Sequence, residues 1–512
     1  MEQVDTGFSG QAEQGNKEAL TAGVFVQKRT EAPLLTRIRK QFEITGAVSL
    51  LFGIFFVVSF YRAGVGFNAL FFTAVMIQLL ITAMRRYEIP IKSGTKVYYS
   101  FSLLFGLSVA LTDNEALQFM NIVSIQILLD LSILHQLHED GKWDFMQYLG
   151  RIFGMLFLGI GSIGMPFIDS VGFLKRSKIF KNDKFRNIFI GILVALPLLL
   201  VIIALLSGAD MLFGDMTRNI YDFLFSADII GVTVMLIFGF LCCYCILCGA
   251  AAQTGRSGSR TMKKADASIA VTVMVMICLV YAIFCGLQIV YLFAGGLFTL
   301  PEGYTFAEYA RRGFFELLAV AIINVALMLI TAAFFTENRL LRILLTIMTA
   351  CTYILIGSAA YRMLLYIGTY HLTFLRLFVL LSLFIIALIL SGVIVSVYRK
   401  SFPLFRYSTM VITVCYLAFS FAKPDYFIAS YFADHQSQFD LEDAAYMAYD
   451  LSLDAAPVVL PLLSDQKYWS TDIGYIRENY YQKITHQKEI SDFRDFNLSN
   501  DIAAKHLKEY LP

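Results

Sequence analysis

Hydrophobic positions in this chain fall into long unbroken runs and do not alternate with polar ones. A spanning helix needs about 20 mostly apolar residues to cross a hydrocarbon core of about 30 Å. Eleven stretches meet that requirement: 44–60, 66–84, 95–111, 116–137, 185–207, 229–252, 267–298, 314–335, 340–360, 375–397 and 404–422. Pro197, in the middle of the fifth, lacks a backbone donor and predicts a kink there. The stretch 151–174 is apolar but glycine-rich, is broken by Pro166 and has basic loops on both sides. A full crossing would strand one of those loops, so an interfacial or re-entrant helix is expected there. The pattern therefore predicts an all-α protein, a polytopic transmembrane helix bundle of about 11 spans over residues 43–422.

The ends of the chain differ from the bundle. Residues 1–42 are polar and lack the succession of basic, apolar and small-residue segments that marks a signal peptide, so they read as a disordered leader. From Lys423 onward helical periodicity persists in shorter, more polar segments. Residues 423–512 carry fifteen acidic and eight basic side chains, a net charge of −7. They predict a small C-terminal all-α domain.

Charge supplies the orientation. With the N-terminus placed in the cytoplasm, 27 of the 41 lysines and arginines fall on the cytoplasmic side, six fall in the opposite loops and eight in the tail. The positive-inside rule requires this asymmetry, and an odd number of spans then makes the tail extracytoplasmic. Only 16% of the residues are charged, against about 25% in a soluble domain. That deficit excludes a disordered chain and a nucleic-acid binder, and the bilayer is the evident partner. All eight cysteines lie in apolar runs, which argues against a disulfide framework and favours small packing residues for Cys242–Cys248.

Candidate chemistry is sparse. No metalloprotease, serine-hydrolase or P-loop signature occurs, so the chain leans toward a non-enzymatic role with no cofactor and no metal. His135 and His138 stand one turn apart, followed by Glu139 and Asp140, and read as a solvated helix end. Two polar runs fall on the expected outer side. Glu308, Arg311, Arg312 and Glu316 enter the eighth span at helical ion-pair spacing, with Asn324 deeper in. Arg362, Tyr366, Tyr370 and Thr373 form one stripe if helical, and Arg376 follows. These ten residues could form an outer polar pocket, bind an anionic lipid or a partner protein of the cell envelope, or dock the acidic tail; the plainer alternative is salt-bridged helix entries with snorkelling arginines.

The runs Glu308-Tyr-x-Arg311-x-Gly-Phe-Phe-Glu316, Arg362-Met-x-x-Tyr366-x-x-x-Tyr370-x-Leu-Thr373-x-x-Arg376 and Pro424-Asp425-x-x-Ile428-Ala429-x-Tyr431 resemble a family of bacterial multi-span proteins catalogued as a domain of unknown function. Leu451-Ser452-x-Asp454-Ala455-x-Pro457 and Phe496-Asn497-Leu498-Ser499 resemble its tail pattern. The resemblance covers roughly 187–512 and implies an integral membrane protein of bacterial type with no assigned reaction. His371 stands where the family pattern leads one to expect glycine, and Lys423 where it leads one to expect asparagine. Two functions remain open: a plasma-membrane scaffold or sensing partner of the cell envelope, or a transporter or lipid-handling protein using the same outer residues. A midplane cavity lined by Asn324 and Glu316 would favour the second, and a solidly packed bundle the first.

Overall fold

The computed structural model describes residues 32–176, scattered positions within 187–206, then 227–254, 264–293, 314–370, 372–434, 441–465, 471–490 and 492–510. It is all-helical. The one extended pairing among the described residues is an isolated parallel bridge between Ala265 and Phe335. In chain order the helices are α1 (Pro33–Lys40), α2 (Phe42–Phe60), α3 (Phe67–Arg86), α4 (Ser93–Leu111), α5 (Glu115–Leu137), α6 (Phe145–Ile160), α7 (Met165–Arg176), α8 (Ala227–Ala252), α9 (Ala267–Phe293), α10 (Phe314–Phe334), α11 (Arg339–Tyr370), α12 (Phe374–Tyr398) and α13 (Leu404–Phe421). The tail adds α14 (Pro424–Asp434), α15 (Leu441–Tyr449), α16 (Ala456–Ser464), α17 (Thr471–Ile490) and α18 (Leu498–Tyr510).

Nine described helices are long and apolar enough to cross a membrane, and eleven if each of two bent helix pairs counts as one span. Those nine coincide with nine of the eleven expected stretches. A tenth, α4, is a helix of 19 residues that keeps buried polar side chains. Most of 185–207 lies outside the described residues, as do most of the leader and positions 308–313 of the Glu308–Glu316 run. Large apolar side chains such as Phe119, Ile283 and Phe384 stand exposed around the bundle, the surface that lipid covers.

Three large apolar clusters organise the described residues, with a small fourth formed by Leu131, Tyr148 and Phe405. The first joins α1–α6 and α8, the second α9–α12, and α13 contributes to both through Tyr416 and Leu404. The third is the tail's own core, centred on Ile428, Met447, Leu460, Tyr480 and Ala503. Within the first half, small residues let backbones meet. A Cβ on Gly159 would touch the Cys245 carbonyl at 3.0 Å, and one on Gly249 would lie 2.7 Å from the Gly159 nitrogen. Arg151 and Gln253 exchange side chain-to-backbone hydrogen bonds of 3.0 and 2.7 Å across the same crossing. The chain then bends by 60° between α6 and α7. Asp169 of α7 meets the Arg39 guanidinium at 3.0 Å and accepts from the Tyr244 hydroxyl at 2.8 Å. The start of α6 and Asp169 of α7 thus lie toward the end of the bundle that gathers Arg39, Arg85, Arg339, Lys400 and Arg406. This is the basic end; the tail sits at the other.

Candidate functional site

At the tail end, polar side chains from four distant segments converge. The connection between α4 and α5 supplies Thr112, Asp113 and Asn114. The turn after α13 supplies Lys423, and α14 opens with Asp425. A single 3-10 turn, Leu453–Ala455, carries Asp454, and the entry to α18 carries Asn497 and Ser499. Asp454 is buried and accepts from the Thr112 and Ser499 hydroxyls, with the Lys423 ammonium 3.5 Å away. Asp425, also buried, accepts from Asn114 Nδ2 at 2.8 Å and from the Ser452 hydroxyl at 2.6 Å. Asp113 accepts from the Leu453 amide at 3.2 Å.

The local conformation explains Lys423. Its φ is 52°, in the left-handed region where asparagine is enriched among non-glycine residues. Lysine at this strained position reaches Ser499 Oγ at 2.7 Å and so brings its charge to Asp454.

Burial has electrostatic consequences here. Desolvation pushes the Asp113 carboxyl up to about 6, against opposing hydrogen bonds from Leu453 and Asn500. Asp425 is also raised by burial, with Asp454 adding to it. Lys483 donates to the Ala448 and Leu451 carbonyls and faces Asp113 and Asp425, while burial pulls its ammonium down. The second oxygen of Asp425 and the Tyr480 hydroxyl have no hydrogen-bond partner among the described residues.

A second strip of contacts fastens the tail to the α2–α3 connection. The Phe67 amide donates to the Phe496 carbonyl at 2.9 Å, and the Gly64 amide to Asp495 Oδ2 at 3.0 Å. Gly66 permits that approach, since a Cβ there would run into the Asp495 and Phe496 carbonyls. Arg494 donates to the Val58 carbonyl at 3.0 Å and the Tyr61 carbonyl at 3.3 Å, capping the C-terminus of α2.

The residues singled out from the sequence occupy other places. Glu308, Arg311 and Arg312 lie outside the described residues. Glu316 is exposed in the first turn of α10. Asn324 is fully buried, accepting from the Tyr281 hydroxyl at 2.7 Å and donating to Thr352 Oγ1 at 2.9 Å. Arg362 is buried one layer nearer the tail end and donates to Gln288 Oε1 at 3.2 Å. The Arg376 guanidinium stacks 4.3 Å from the centre of the Tyr366 ring. Thr373 precedes α12 as its N-cap residue without a side-chain capping bond, and Tyr370 closes α11. The structure therefore brings together Arg376 and Tyr366, and ties Asn324 and Arg362 to α9 side chains. Sequence reasoning placed none of Asp113, Asp425, Asp454 or Lys483 in a site; Asp425 and Asp454 stood only within the family-like runs.

The histidines depart from the solvated helix end expected of them. His135 Nδ1 lies 2.8 Å from Asp140 Oδ2, an oxygen that also accepts from the Tyr148 hydroxyl at 2.6 Å. The Arg406 guanidinium holds the other Asp140 oxygen at 2.7 Å. Burial raises the Asp140 carboxyl, but His135, Tyr148 and Arg406 outweigh it and hold the group below its ordinary value. His138 packs against Trp143, and burial pulls its imidazole down. Among the described residues no three His, Cys, Asp or Glu side chains are placed to hold a metal ion.

A family described as a domain of unknown function, DUF4153, matches residues 100–462. The chain belongs to the DUF4153 family. No curated protein and no solved structure matched it. The DUF4153 match contains Asp113, Asp425 and Asp454 and leaves α17 and α18 outside. The aspartates of the junction are thus family-domain residues, whereas Tyr480, Lys483 and Ser499 come from beyond it.

Proposed function

We propose that the protein is a non-enzymatic sensing or scaffolding component of a bacterial cell envelope. In this reading the basic end faces the cytoplasm, the α6–α7 pair lies along that face, and the C-terminal helices form a domain outside. The arginines and lysines at the basic end support the orientation through the positive-inside rule.

The observation that carries the role is the convergence of three aspartates between the tail and the bundle, Asp425 and Asp454 buried and Asp113 half-buried. A permanent clamp gains more from apolar packing, because desolvated charges offset their own attraction. Carboxylates at such a contact make it responsive to a proton, or to a partner that competes for Lys423 or Lys483. Packing within the second half agrees with this role, since the Asn324 amide is engaged by Tyr281 and Thr352 and glues helices together.

The test is the release of the tail in the full-length protein. Asp454→Asn should make residues 423–510 more sensitive to protease added to spheroplasts, while Asp501→Asn, on the surface of α18, should not. A tail equally resistant in wild type and Asp454→Asn would remove the basis for the proposal.

A further inference from the structure

We infer that the basic end of the bundle binds an amphiphile with an anionic, phosphate-bearing headgroup, at a cavity separate from the tail junction. The cavity measures about 560 Å³ and lies between the two halves of the bundle, within the size range of small-molecule sites. Its inner wall is apolar, formed by residues such as Leu329, Leu341, Leu345, Val397 and Phe405, and its rim is charged.

The rim holds four cations, Lys264, Arg342, Lys400 and Arg406, against three carboxylates, Asp140, Asp144 and Glu337. Each carboxylate is already engaged. Asp140 lies between Arg406 and His135. Asp144 caps α6, accepting from the Gln147 amide at 2.8 Å and facing the positive end of that helix. Glu337 is shared by Arg342 at 2.6 Å and Lys400 at 3.0 Å, one anion for two cations. Lys264 donates to the Ala332 carbonyl at 3.1 Å, a neutral acceptor. The bridge between Ala265 and Phe335 anchors the segment that carries this lysine to the end of α10: the Ala265 amide donates to the Phe334 carbonyl at 2.8 Å, and the Thr336 amide to the Ala265 carbonyl at 2.9 Å. The rim thus presents unneutralised positive charge over an apolar wall. A free phosphate would engage only the rim; a lipid headgroup with the start of its acyl chain engages both.

Trp143 lines the same cavity and serves as the probe. With Trp469→Phe in the full-length protein, Trp143 is the only tryptophan. The protein is reconstituted in phosphatidylcholine vesicles doped with acyl-brominated phosphatidylglycerol or acyl-brominated phosphatidylcholine, and Trp143 quenching is titrated. Brominated phosphatidylglycerol should quench at a mole fraction well over tenfold lower. Each lysine should account for about fivefold of that preference, as expected for a lysine at an anionic headgroup. Lys264→Gln/Lys400→Gln should bring the two lipids close to parity; both side chains are exposed, so the substitutions leave the packing intact. Equal quenching by the two lipids in the parent protein, or a preference that survives in the double variant, would overturn the inference. Relief of the quenching by a few millimolar inorganic phosphate would assign the rim to a soluble anion and would also overturn it.

Discussion

Replacing Asp113 with asparagine isolates the acid response of the tail contact. The docked Asp113 carboxyl titrates at about 6 and the free one at 3.8. A docked pKa above the undocked one means that docking is strongest below the undocked value and is lost as pH rises through the docked one. Two pKa units correspond to about 3 kcal/mol, a ceiling because solvent reaches part of this side chain. Between pH 5.0 and 7.5 the Asp113 share is about 1.4 kcal/mol, or about a tenfold increase in tail opening. Asparagine retains an oxygen to accept from the Leu453 amide and cannot ionise, so D113N should dock more tightly at pH 7.5 and show about tenfold less pH dependence. What slope remains belongs to Asp425, which is shifted in the same direction. Amide hydrogen exchange in α17 and α18 of the full-length protein in nanodiscs, corrected for intrinsic rates, reads the opening. Exchange that is independent of pH in the wild type, or an undiminished slope in D113N, would refute the argument.

Three further outcomes are expected. A cysteine at Lys505 should react with an impermeant maleimide in intact cells and one at Lys400 only after permeabilisation, both side chains being exposed; the reverse pattern would invert the proposed orientation. Gly66→Ala should weaken tail docking by about 1–3 kcal/mol, because the new methyl meets backbone carbonyls that cannot rotate away, visible as faster exchange around residues 492–497. Asn324→Ala should cost the bundle about 1 kcal/mol by removing the bonds to Tyr281 and Thr352, read as a lower unfolding temperature in detergent with the tail still protease-resistant.

The spans were legible because twenty apolar residues in a row have few other uses. Helix α4 was legible too, although its Thr95, Ser102 and Ser108 dilute the signal: those side chains turn inward, Thr95 to Gln136 and Ser108 to Ser420. The tail junction was not legible. Asp113 stands more than 300 residues before Asp425 and Asp454, and nothing local distinguishes a buried aspartate from one that caps a helix in water. At the basic end the difficulty was different. Lys264, Arg342, Lys400 and Arg406 already had an explanation as topology signals, and Asp140 read as part of a solvated helix end. Charge that orients a chain in the bilayer can also line a cavity, and only the fold shows which residues meet.

Helix α13 has a mechanical consequence. Its first turn carries Arg406, beside Asp140 and the basic-end cavity, and it ends where Ser420 bonds Ser108 at 2.8 Å and Asn121 at 2.9 Å. Lys423, on the tail junction, follows immediately. Its 18 residues contain no proline or glycine, so it has no hinge and its length of about 27 Å is fixed by its own hydrogen bonds. A rod of that kind transmits a stroke without absorbing it. If Arg406 slides by one ångström along the axis, Ser420 and Lys423 must slide with it or their bonds must break. The two ends of the molecule are therefore geared together through one element, and the position of the tail is tied to what happens some 27 Å away.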